Sequence, residues 1–167
     1  MEPKFDEKDL AILTIIQENC KLTGRQIARK IDSPITTAFA KIKRMERLGI
    51  IKAYKAILDS KKLNSGTTAF ILASVSYRTK NNEPLISQRE IAGKIAKFPE
   101  VQEVHIITGD WDLLVKLKAE NVDMIGKFVI DRLRLVEGIE KTLTCMVFET
   151  CKETTGTYID ARKIKAL

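Results

Sequence analysis

Apolar residues recur at the spacing of an amphipathic helix near the start of the chain. Leu10, Leu13 and Ile16 repeat every three residues behind Asp6. Aspartate favours the N-cap position, because its carboxylate accepts a hydrogen bond from the first helical turn. The pattern therefore predicts a first helix that begins at Asp6 and ends near Asn19, with its apolar side buried.

Two further helices follow at short intervals. Thr23 and Gln26 stand three residues apart, a capping-box pattern in which each side chain bonds the other residue's backbone N–H, and they open a second helix. Ser33 and Pro34 predict the start of a third helix, with serine as N-cap and proline at the first helical position, where its missing N–H costs nothing. We expect this helix to end before Gly49, since glycine readily adopts positive φ.

The third helix has a buried side and an outward side. Ala38, Ile42 and Met45 form the predicted buried stripe, and Leu48 closes it. The outward side carries small and hydrogen-bonding residues followed by cations. This order suits a helix that enters the major groove N-terminus first, because small side chains approach base edges while cations reach phosphates. The candidate DNA-binding residues are Ser33, Ile35, Thr36, Thr37, Ala40, Lys41, Lys43, Arg44 and Arg47.

Positive charge is concentrated in the same part of the chain. The net charge is +7, yet residues 1–62 hold 14 Lys and Arg against 8 Asp and Glu, whereas residues 63–167 hold 15 against 14. Between residues 21 and 62 there are 12 basic and 3 acidic residues. Three-helix units also occur as plain structural bundles, and a basic surface is often only solvated. The coincidence of both features favours binding to double-stranded DNA.

Beyond Gly66 the chain alternates between strand and helix periodicity. One strand is especially clear, because Leu113, Val115 and Leu117 alternate with polar residues. The order strand, helix, strand, strand, helix, strand is the ferredoxin-like plan, one antiparallel sheet with both helices on one face. The predicted elements cover residues 69–77, 87–98, 101–108, 112–119, 122–135 and 142–149.

An alternating segment at residues 50–59 predicts a strand between the two regions, followed by a polar turn. Its exposed edge needs a partner, either the DNA backbone through Lys52 and Lys55 or the same segment of a second chain. The predicted fold class is α+β, with an N-terminal three-helix helix-turn-helix domain joined by a strand hinge to a ferredoxin-like βαββαβ domain. The predicted boundaries are 1–50 for the helix-turn-helix domain, 51–66 for the hinge strand and linker, 67–150 for the ferredoxin-like domain and 151–167 for a C-terminal tail.

The face of the predicted sheet that the helices leave open is too apolar to remain in water. We therefore expect two chains to dimerise sheet to sheet. The residues assigned to this face are Ala69, Ile71, Val75, Ile107, Leu114, Met146 and Phe148.

Metal, redox and membrane functions find little support. Cys20, Cys145 and Cys151 lack CxxC spacing, and only His105 could join them. We therefore expect reduced, structural thiols, no metal site and no cofactor. The charged N-terminus lacks the apolar stretch of a secretory signal, and the apolar runs are far shorter than the roughly 20 residues that span a bilayer. We expect a cytoplasmic location and no membrane partner.

Both halves of the chain, in this order and spacing, resemble the Lrp/AsnC family of feast/famine transcription regulators. The resemblance covers nearly the whole chain, and no single motif would suffice alone. It implies a homodimer, commonly assembled into an octameric ring, that binds palindromic DNA and responds to an amino acid. The matching stretches are residues 6–13 (DEKDLAIL), 34–38 (PITTA), 42–46 (IKRME), 48–51 (LGII), 101–112 (VQEVHIITGDWD) and 152–155 (KETT).

The same resemblance implies an amino-acid pocket at the turn of the hairpin, between neighbouring dimers. A free amino acid needs a carboxylate or carbonyls for its ammonium group and backbone N–H groups for its carboxylate, and a glycine-containing turn with Asp110 and Asp112 offers both. Trp111 could wall such a site. Asp-rich turns are, however, often only solvated. The candidate effector-binding residues are Thr108, Gly109, Asp110, Trp111, Asp112, Thr142 and Thr144.

Two alternatives compete with this interpretation. Some relatives of the fold decarboxylate haem precursors with histidines and arginines in the second domain. His105 is the single histidine here, and we expect no Ser, Cys or carboxylate spaced to orient it. We expect no enzyme and no catalytic residue. A mainly architectural DNA-wrapping protein is the other alternative. A polar loop at residues 78–84 departs from the family pattern and could alter the ring or the pocket rim. The favoured function is a sequence-specific DNA-binding transcription regulator that responds to an amino acid or similar small effector.

Overall fold

The computed structural model describes residues 5–76 and 87–160, so the polar loop at 78–84 lies outside the described residues. The chain divides into two compact units. The first comprises the described parts of Met1–Ile57 and Glu153–Leu167, and the second comprises the described parts of Leu58–Lys152. The first unit contains three helices and the second an antiparallel sheet with further helices, which confirms the α+β prediction.

The caps of the first two helices match the sequence prediction. Asp9 N–H donates to Asp6 Oδ1 at 2.8 Å, and Asp6 N–H donates to Asp9 Oδ2 at 3.0 Å. Thr23 and Gln26 form the corresponding reciprocal pair on the second helix. These side chains accept hydrogen bonds from backbone N–H groups that have no partner within the helix. Helices α1, α2 and α3 span Glu7–Glu18, Gly24–Lys30 and Ile35–Arg47.

Helix α3 begins one residue later than predicted. Pro34 has a ψ of 145°, an extended conformation, so it is the N-cap rather than the first helical residue. Ser33 does not cap the helix; its hydroxyl oxygen accepts a hydrogen bond from Lys8 Nζ at 2.7 Å. At the other end Gly49 has a φ of +71°. The predicted C-terminal glycine signal is therefore confirmed.

The first unit has a small apolar core in which α3 buries one stripe. The predicted stripe of Ala38, Ile42 and Met45 is buried, and Ala38 and Met45 lose all contact with solvent. Leu48, predicted to close the stripe, is instead 47% exposed, because it is the C-cap of the helix. Burying a large aliphatic side chain contributes about 1.5–3 kcal/mol. The buried core residues are Ile12, Ile27, Ala28, Ile31, Ala38, Ile42 and Met45.

The predicted strand at residues 50–59 is not formed within the described chain. Exposure in this segment is high and reaches 87% at Ile57. A strand exists only where a neighbouring strand supplies hydrogen bonds, and no strand of the described sheet pairs with this segment. The alternating sequence therefore predicts a pairing that one chain does not supply.

The second unit contains all six predicted elements, with shifted ends. The last strand begins three residues earlier than predicted, because Gly138, with a φ of +94°, turns the chain and Ile139 already pairs with Val75. A short 3-10 helix, Leu133–Leu135, follows the final α-helix. The elements are β1 (Thr67–Val75), α4 (Gln88–Ile95), β2 (Val101–Ile106), β3 (Leu113–Ala119), α5 (Val122–Asp131) and β4 (Ile139–Met146).

The four strands form one sheet in the order β2-β3-β1-β4, and all neighbours are antiparallel. This order confirms the ferredoxin-like plan. Leu113, Val115 and Leu117 of β3 are completely buried, as their strict alternation predicts. They pack with Ile91 of α4 and Ile125 of α5 in the main core of this unit.

The faces of β1 and β4 were assigned wrongly from the sequence. Ala69, Ile71 and Val75 belong to the helix-covered core, and Met146, which pairs with Ala69, packs against the same core. Phe148 lies beyond β4 and is fully exposed. β1 is apolar on both sides, so its sequence does not say which side the helices cover.

The register shows which residues share the open face, because directly paired residues point to the same side of a sheet. Leu114 was assigned correctly: it pairs with Leu72, which also pairs with Leu143. Phe70 pairs with Cys145 on the same side. Ile107 lies beyond the end of β2 rather than within the sheet. We call Phe70, Leu72, Leu114, Leu143 and Cys145 the open sheet face.

The C-terminal segment belongs to the first unit. Thr157 N–H donates to Gln17 Oε1 at 2.6 Å, and Gln17 Nε2 donates to the Thr157 carbonyl at 3.2 Å. One amide side chain of α1 thus bonds both backbone groups of a single tail residue. All three cysteines are free thiols and are exposed in the single chain.

Candidate nucleic-acid interface and effector loop

The outward residues of α3 form a continuous surface. Ile35, Thr36, Thr37 and Ala40 are exposed. A shallow concavity of about 400 Å³ is lined by Thr36, Thr37, Ala40, Lys41 and Arg44. Because these residues recur at helical spacing, one side of α3 brings most of the predicted DNA-binding set together.

Two cations in this concavity are held by carboxylates of α1, a contact that the sequence pattern does not predict. Lys41 Nζ donates to Asp6 Oδ2 at 2.5 Å and to Asp9 Oδ1 at 3.1 Å. Arg44 Nη1 lies 3.5 Å from Asp9 Oδ2. The Lys41 side chain is only 16% exposed, and that of Asp9 is 1% exposed. Lys41 is therefore not the freely extended phosphate-binding cation that the sequence pattern predicts.

The protonation equilibria of this group reflect the ion pairs. The hydrogen bond from Lys41 holds the pKa of Asp6 below its ordinary value, although desolvation acts in the opposite direction. Desolvation also opposes the charge of Lys41, but its hydrogen bonds to Asp6 and Asp9 together raise the pKa of the ammonium group. Asp6 and Lys41 are therefore both charged near neutral pH, because their mutual attraction favours the ionised forms.

A second chain of contacts runs along the flank of α3. Lys43 Nζ lies 5.6 Å from the centre of the Phe39 ring and 2.7 Å from Glu46 Oε2, and Tyr54 Oη donates to Glu46 Oε1 at 3.0 Å. Lys43 and Tyr54 lower the pKa of Glu46. Burial and then the Glu46 bond raise the pKa of Tyr54 to about 12. Phe39 is 56% exposed and was not among the predicted site residues, since an aromatic side chain on a helix usually signals core.

Other cations of the first unit remain at the surface. Arg47, predicted to reach phosphates, is exposed, as are Arg25, Arg29 and Lys30 of α2. Within residues 5–76 and 87–160, no ion pair is found for these four side chains. They supply the positive field that the charge distribution predicts.

The hairpin turn between β2 and β3 contains both exposed and bonded residues. Thr108, Gly109 and Asp110 are exposed, and Gly109 has a φ of +118°. Ile107 N–H donates to the Asp112 carbonyl at 2.9 Å and closes the turn. The turn therefore presents backbone and one carboxylate to solvent.

The carboxylate of Asp112 makes hydrogen bonds within the fold. Its Oδ2 accepts from Val75 N–H at 2.8 Å, and its Oδ1 accepts from Gln88 Nε2 at 2.7 Å. Its own N–H donates to the Ala73 carbonyl at 3.0 Å. The carboxylate thus links the turn to β1 and to the first turn of α4. Of the two aspartates proposed for the ligand, only Asp110 presents an exposed side chain.

The two threonines of β4 lie across the sheet from this turn. Thr142 pairs with Ala73 of β1, and the Ala73 carbonyl bonds Asp112, so Thr142 and the turn are two strand spacings apart, about 10 Å. Thr142 Oγ1 accepts a hydrogen bond from Arg134 Nε at 3.3 Å. Thr144 is exposed one pair further along β4. Arg134 is a cationic neighbour that the sequence pattern does not predict, because only the fold brings it to β4.

His105 lies on β2 among charged partners. Its Nε2 is 3.2 Å from Glu103 Oε2, so the expectation that no carboxylate is spaced to contact this histidine is wrong. Lys116 Nζ is 3.2 Å from Glu103 Oε1. His105 pairs with Leu114, which places it on the same side of the sheet as the open face. Among the residues that the structure describes, no cluster of three or more His, Cys, Asp or Glu could hold a metal ion. No helix of the described residues is long and apolar enough to cross a membrane.

A helix-turn-helix unit with a basic third helix, followed by a ferredoxin-like domain, defines a class of DNA-binding transcription regulators with a second, ligand-binding domain. Residues 5–52 match the winged helix-turn-helix DNA-binding family, and residues 68–157 match the Lrp/AsnC ligand binding domain. The chain belongs to the Lrp/AsnC family of transcription regulators, and the predicted family is confirmed.

Relatives with similar sequences cover almost the whole chain. An uncharacterised HTH-type transcriptional regulator of Pyrococcus abyssi is 40% identical over 149 residues, which are 89% of this chain and 96% of the relative. The transcriptional regulator AzlB of Bacillus subtilis is 34% identical over 93% of this chain and 96% of its own length. These names support a transcription regulator rather than an enzyme.

Solved structures show the same fold. A Neisseria meningitidis transcriptional regulator, determined as its L-Met complex, has a TM-score of 0.84 and 26% identity, covering 93% of this chain and 97% of its own. Escherichia coli AsnC has a TM-score of 0.79 at 19% identity, covering 92% of this chain and 98% of its own.

Proposed function

We propose that the protein regulates transcription by inserting α3 into the major groove of a palindromic operator as a dimer. The observation that carries this proposal is the concavity on α3 lined by five of the predicted DNA-facing residues. Thr36, Thr37 and Ala40 are small enough to approach base edges, and threonine both bonds bases and contacts the thymine methyl group. Exposed cations such as Arg47 reach the flanking phosphates.

In vitro selection from a random duplex library, followed by binding titration, tests this proposal. We expect a palindrome with half-sites about one helical turn apart, roughly 10 bp. Thr37→Val should weaken binding to the selected operator by about tenfold, since a base contact contributes about 1–3 kcal/mol, and should barely change binding to mixed-sequence DNA. Thr157→Ala, a threonine in the tail, is the matched control. Selection without any sequence preference would contradict the proposal and favour an architectural role.

The proposed effector is a free amino acid at the hairpin turn, with Thr108, Gly109, Asp110 and Trp111 as its nearest residues. The exposed Asp110 carboxylate suits an ammonium group, and the glycine backbone suits a carboxylate. The L-Met complex of the Neisseria relative supports this class of ligand. Thr142 and Thr144 complete the proposed set, whereas we assign Asp112 to positioning the turn.

Calorimetric titration with each proteinogenic amino acid tests the effector site. We expect one or a few to bind, and Asp110→Asn to weaken that binding by tenfold or more, because the ammonium group loses its charged partner. Glu120→Gln, a charge removal on an exposed residue after β3, is the control. Binding that is identical in Asp110→Asn and the unmodified protein would place the effector elsewhere.

The proposed partner of the open sheet face is a second copy of this chain. Phe70, Leu72, Leu114 and Leu143 cluster there in adjacent registered positions, and apolar patches of this kind mark association surfaces. Two sheets packed face to face would bury them, and such dimers could assemble further, as into an octamer. Light scattering should report a dimer or a multiple of it, and Leu72→Glu should yield monomers. Persistent dimers in Leu72→Glu would contradict this interface.

A further inference from the structure

The concavity on α3 is lined by two cations whose charge is balanced locally. Lys41 and Arg44 face Asp6 and Asp9, so two positive and two negative groups lie within hydrogen-bonding range of one another. Elsewhere in the same unit, Arg25, Arg29 and Arg47 are exposed without an ion pair among the described residues. The positive field is therefore carried by the flanks, while the centre of the surface is nearly neutral.

The ammonium group of Lys41 is the one most firmly held. It is 2.5 Å from Asp6 and 3.1 Å from Asp9, and its side chain is 16% exposed. A phosphate that approached Lys41 would have to replace the carboxylate of Asp6, whose side chain is 59% exposed and stands on the solvent side of the pair. Asp6 would also repel that phosphate. Removing the Asp6 charge should therefore open the solvent side of the Lys41 ammonium group to the DNA backbone, while Asp9 still holds its inner side.

We propose that Asp6 weakens the sequence-independent part of DNA binding by holding Lys41 away from phosphates. The inference rests on the proposed DNA-binding function. With the central cation neutralised, the threonines and Ala40 of α3 discriminate between base pairs, while the attraction common to all sequences is reduced. Asp9, which is buried beneath the pair, positions Lys41 and Arg44 but does not face the duplex.

The magnitude follows from counterion release. Each additional phosphate contact makes the slope of log K against log salt steeper by about 0.9 for duplex DNA. One released lysine at about 100 mM salt should then strengthen binding to any duplex by roughly eightfold, relative to the protein in which it is held. Binding to the operator should strengthen by about the same factor, because the phosphate contact is common to all sequences, so the ratio of operator affinity to mixed-sequence affinity should stay about the same.

The test is a salt titration of full-length protein on a mixed-sequence duplex and on the selected operator, between about 50 and about 200 mM salt. Asp6→Asn is the main variant, because asparagine remains a good N-cap and removes only the charge. Asp6→Ser also keeps a capping residue at this position and is the second variant, in case Asp6→Asn does not fold. Glu18→Gln removes the same charge from the opposite end of α1 and is the matched control.

We expect both Asp6 variants to bind the mixed-sequence duplex more tightly and with a slope steeper by about 0.9, whereas Glu18→Gln keeps the original slope. Adding Lys41→Met to Asp6→Asn should restore that slope. An unchanged slope in both folded Asp6 variants, or a gain that survives Lys41→Met, would overturn the inference. If the unmodified protein bound no duplex at all, the proposed function itself would fail instead.

Discussion

Replacing Asp112 should destabilise the second unit even though the residue lies in an exposed turn. In Asp112→Ala the Val75 N–H, which belongs to a residue only 3% exposed, loses an acceptor at 2.8 Å. Leaving a buried N–H without an acceptor costs about 1–3 kcal/mol. The half-buried Gln88 amide loses its 2.7 Å bond but is partly rehydrated, at a cost of about 0.5 kcal/mol. We therefore expect the free energy of unfolding to fall by about 2 kcal/mol.

Urea unfolding measures this change, and Trp111, the single tryptophan of the chain, reports it from the adjacent position. The denaturation midpoint should fall while the dependence of the free energy on urea stays the same, as expected when only stability changes. Asp110→Ala is the matched control: its exposed side chain should change stability by less than about 0.5 kcal/mol. A loss in Asp112→Ala no larger than that of the control would refute the assignment of Asp112 to the fold.

Two further predictions concern backbone conformation and pH. Gly138→Ala should reduce stability by about 2–4 kcal/mol in the same urea assay, since Gly138 has a φ of +94° and a new Cβ would lie 2.5 Å from Ile91 Cδ1. Gly126→Ala in α5, where a Cβ meets nothing within 4 Å, should instead stabilise the protein by about 0.5–1 kcal/mol. Equal changes in stability for the two glycine substitutions would contradict this reasoning. Tyr54 should titrate near 12 by ultraviolet absorbance, and its contribution to stability, complete below the ordinary tyrosine pKa of about 10, should disappear as pH rises through 12. Glu46→Gln should move this titration to lower pH, and an unshifted titration would refute the Tyr54–Glu46 bond.

Features determined by neighbouring residues were predictable from the sequence. The capping residues Asp6 and Thr23 act within one helical turn, and Gly49 ends α3 through its own backbone conformation. The order of strands and helices in the second domain follows equally from local periodicity. The hinge strand was not predictable in the same way, because pairing requires a partner that the segment does not contain.

Features determined by distant residues were not predictable. Lys41 is separated from Asp6 by 35 positions. The sequence therefore suggests that Lys41 is a free cation, whereas the fold places it in an ion pair with Asp6. Phe70 and Ile71 are both apolar, and only the placement of the helices decides which of them is buried. The sequence does not distinguish Asp110 from Asp112 for the same reason, because the Val75 N–H that bonds Asp112 is distant in the chain.

The first unit is discontinuous in the chain, because Gln17 bonds Thr157 and Leu58–Lys152 is inserted between its two pieces. If those 95 residues were unfolded, bringing the tail back to α1 would cost about 4 kcal/mol of chain entropy, which is more than the roughly 1–3 kcal/mol that two exposed hydrogen bonds return. Loss of structure in the inserted unit should therefore detach the tail as well. A fragment cut after Ile57 would retain the three helices but leave the amide of Gln17 facing water.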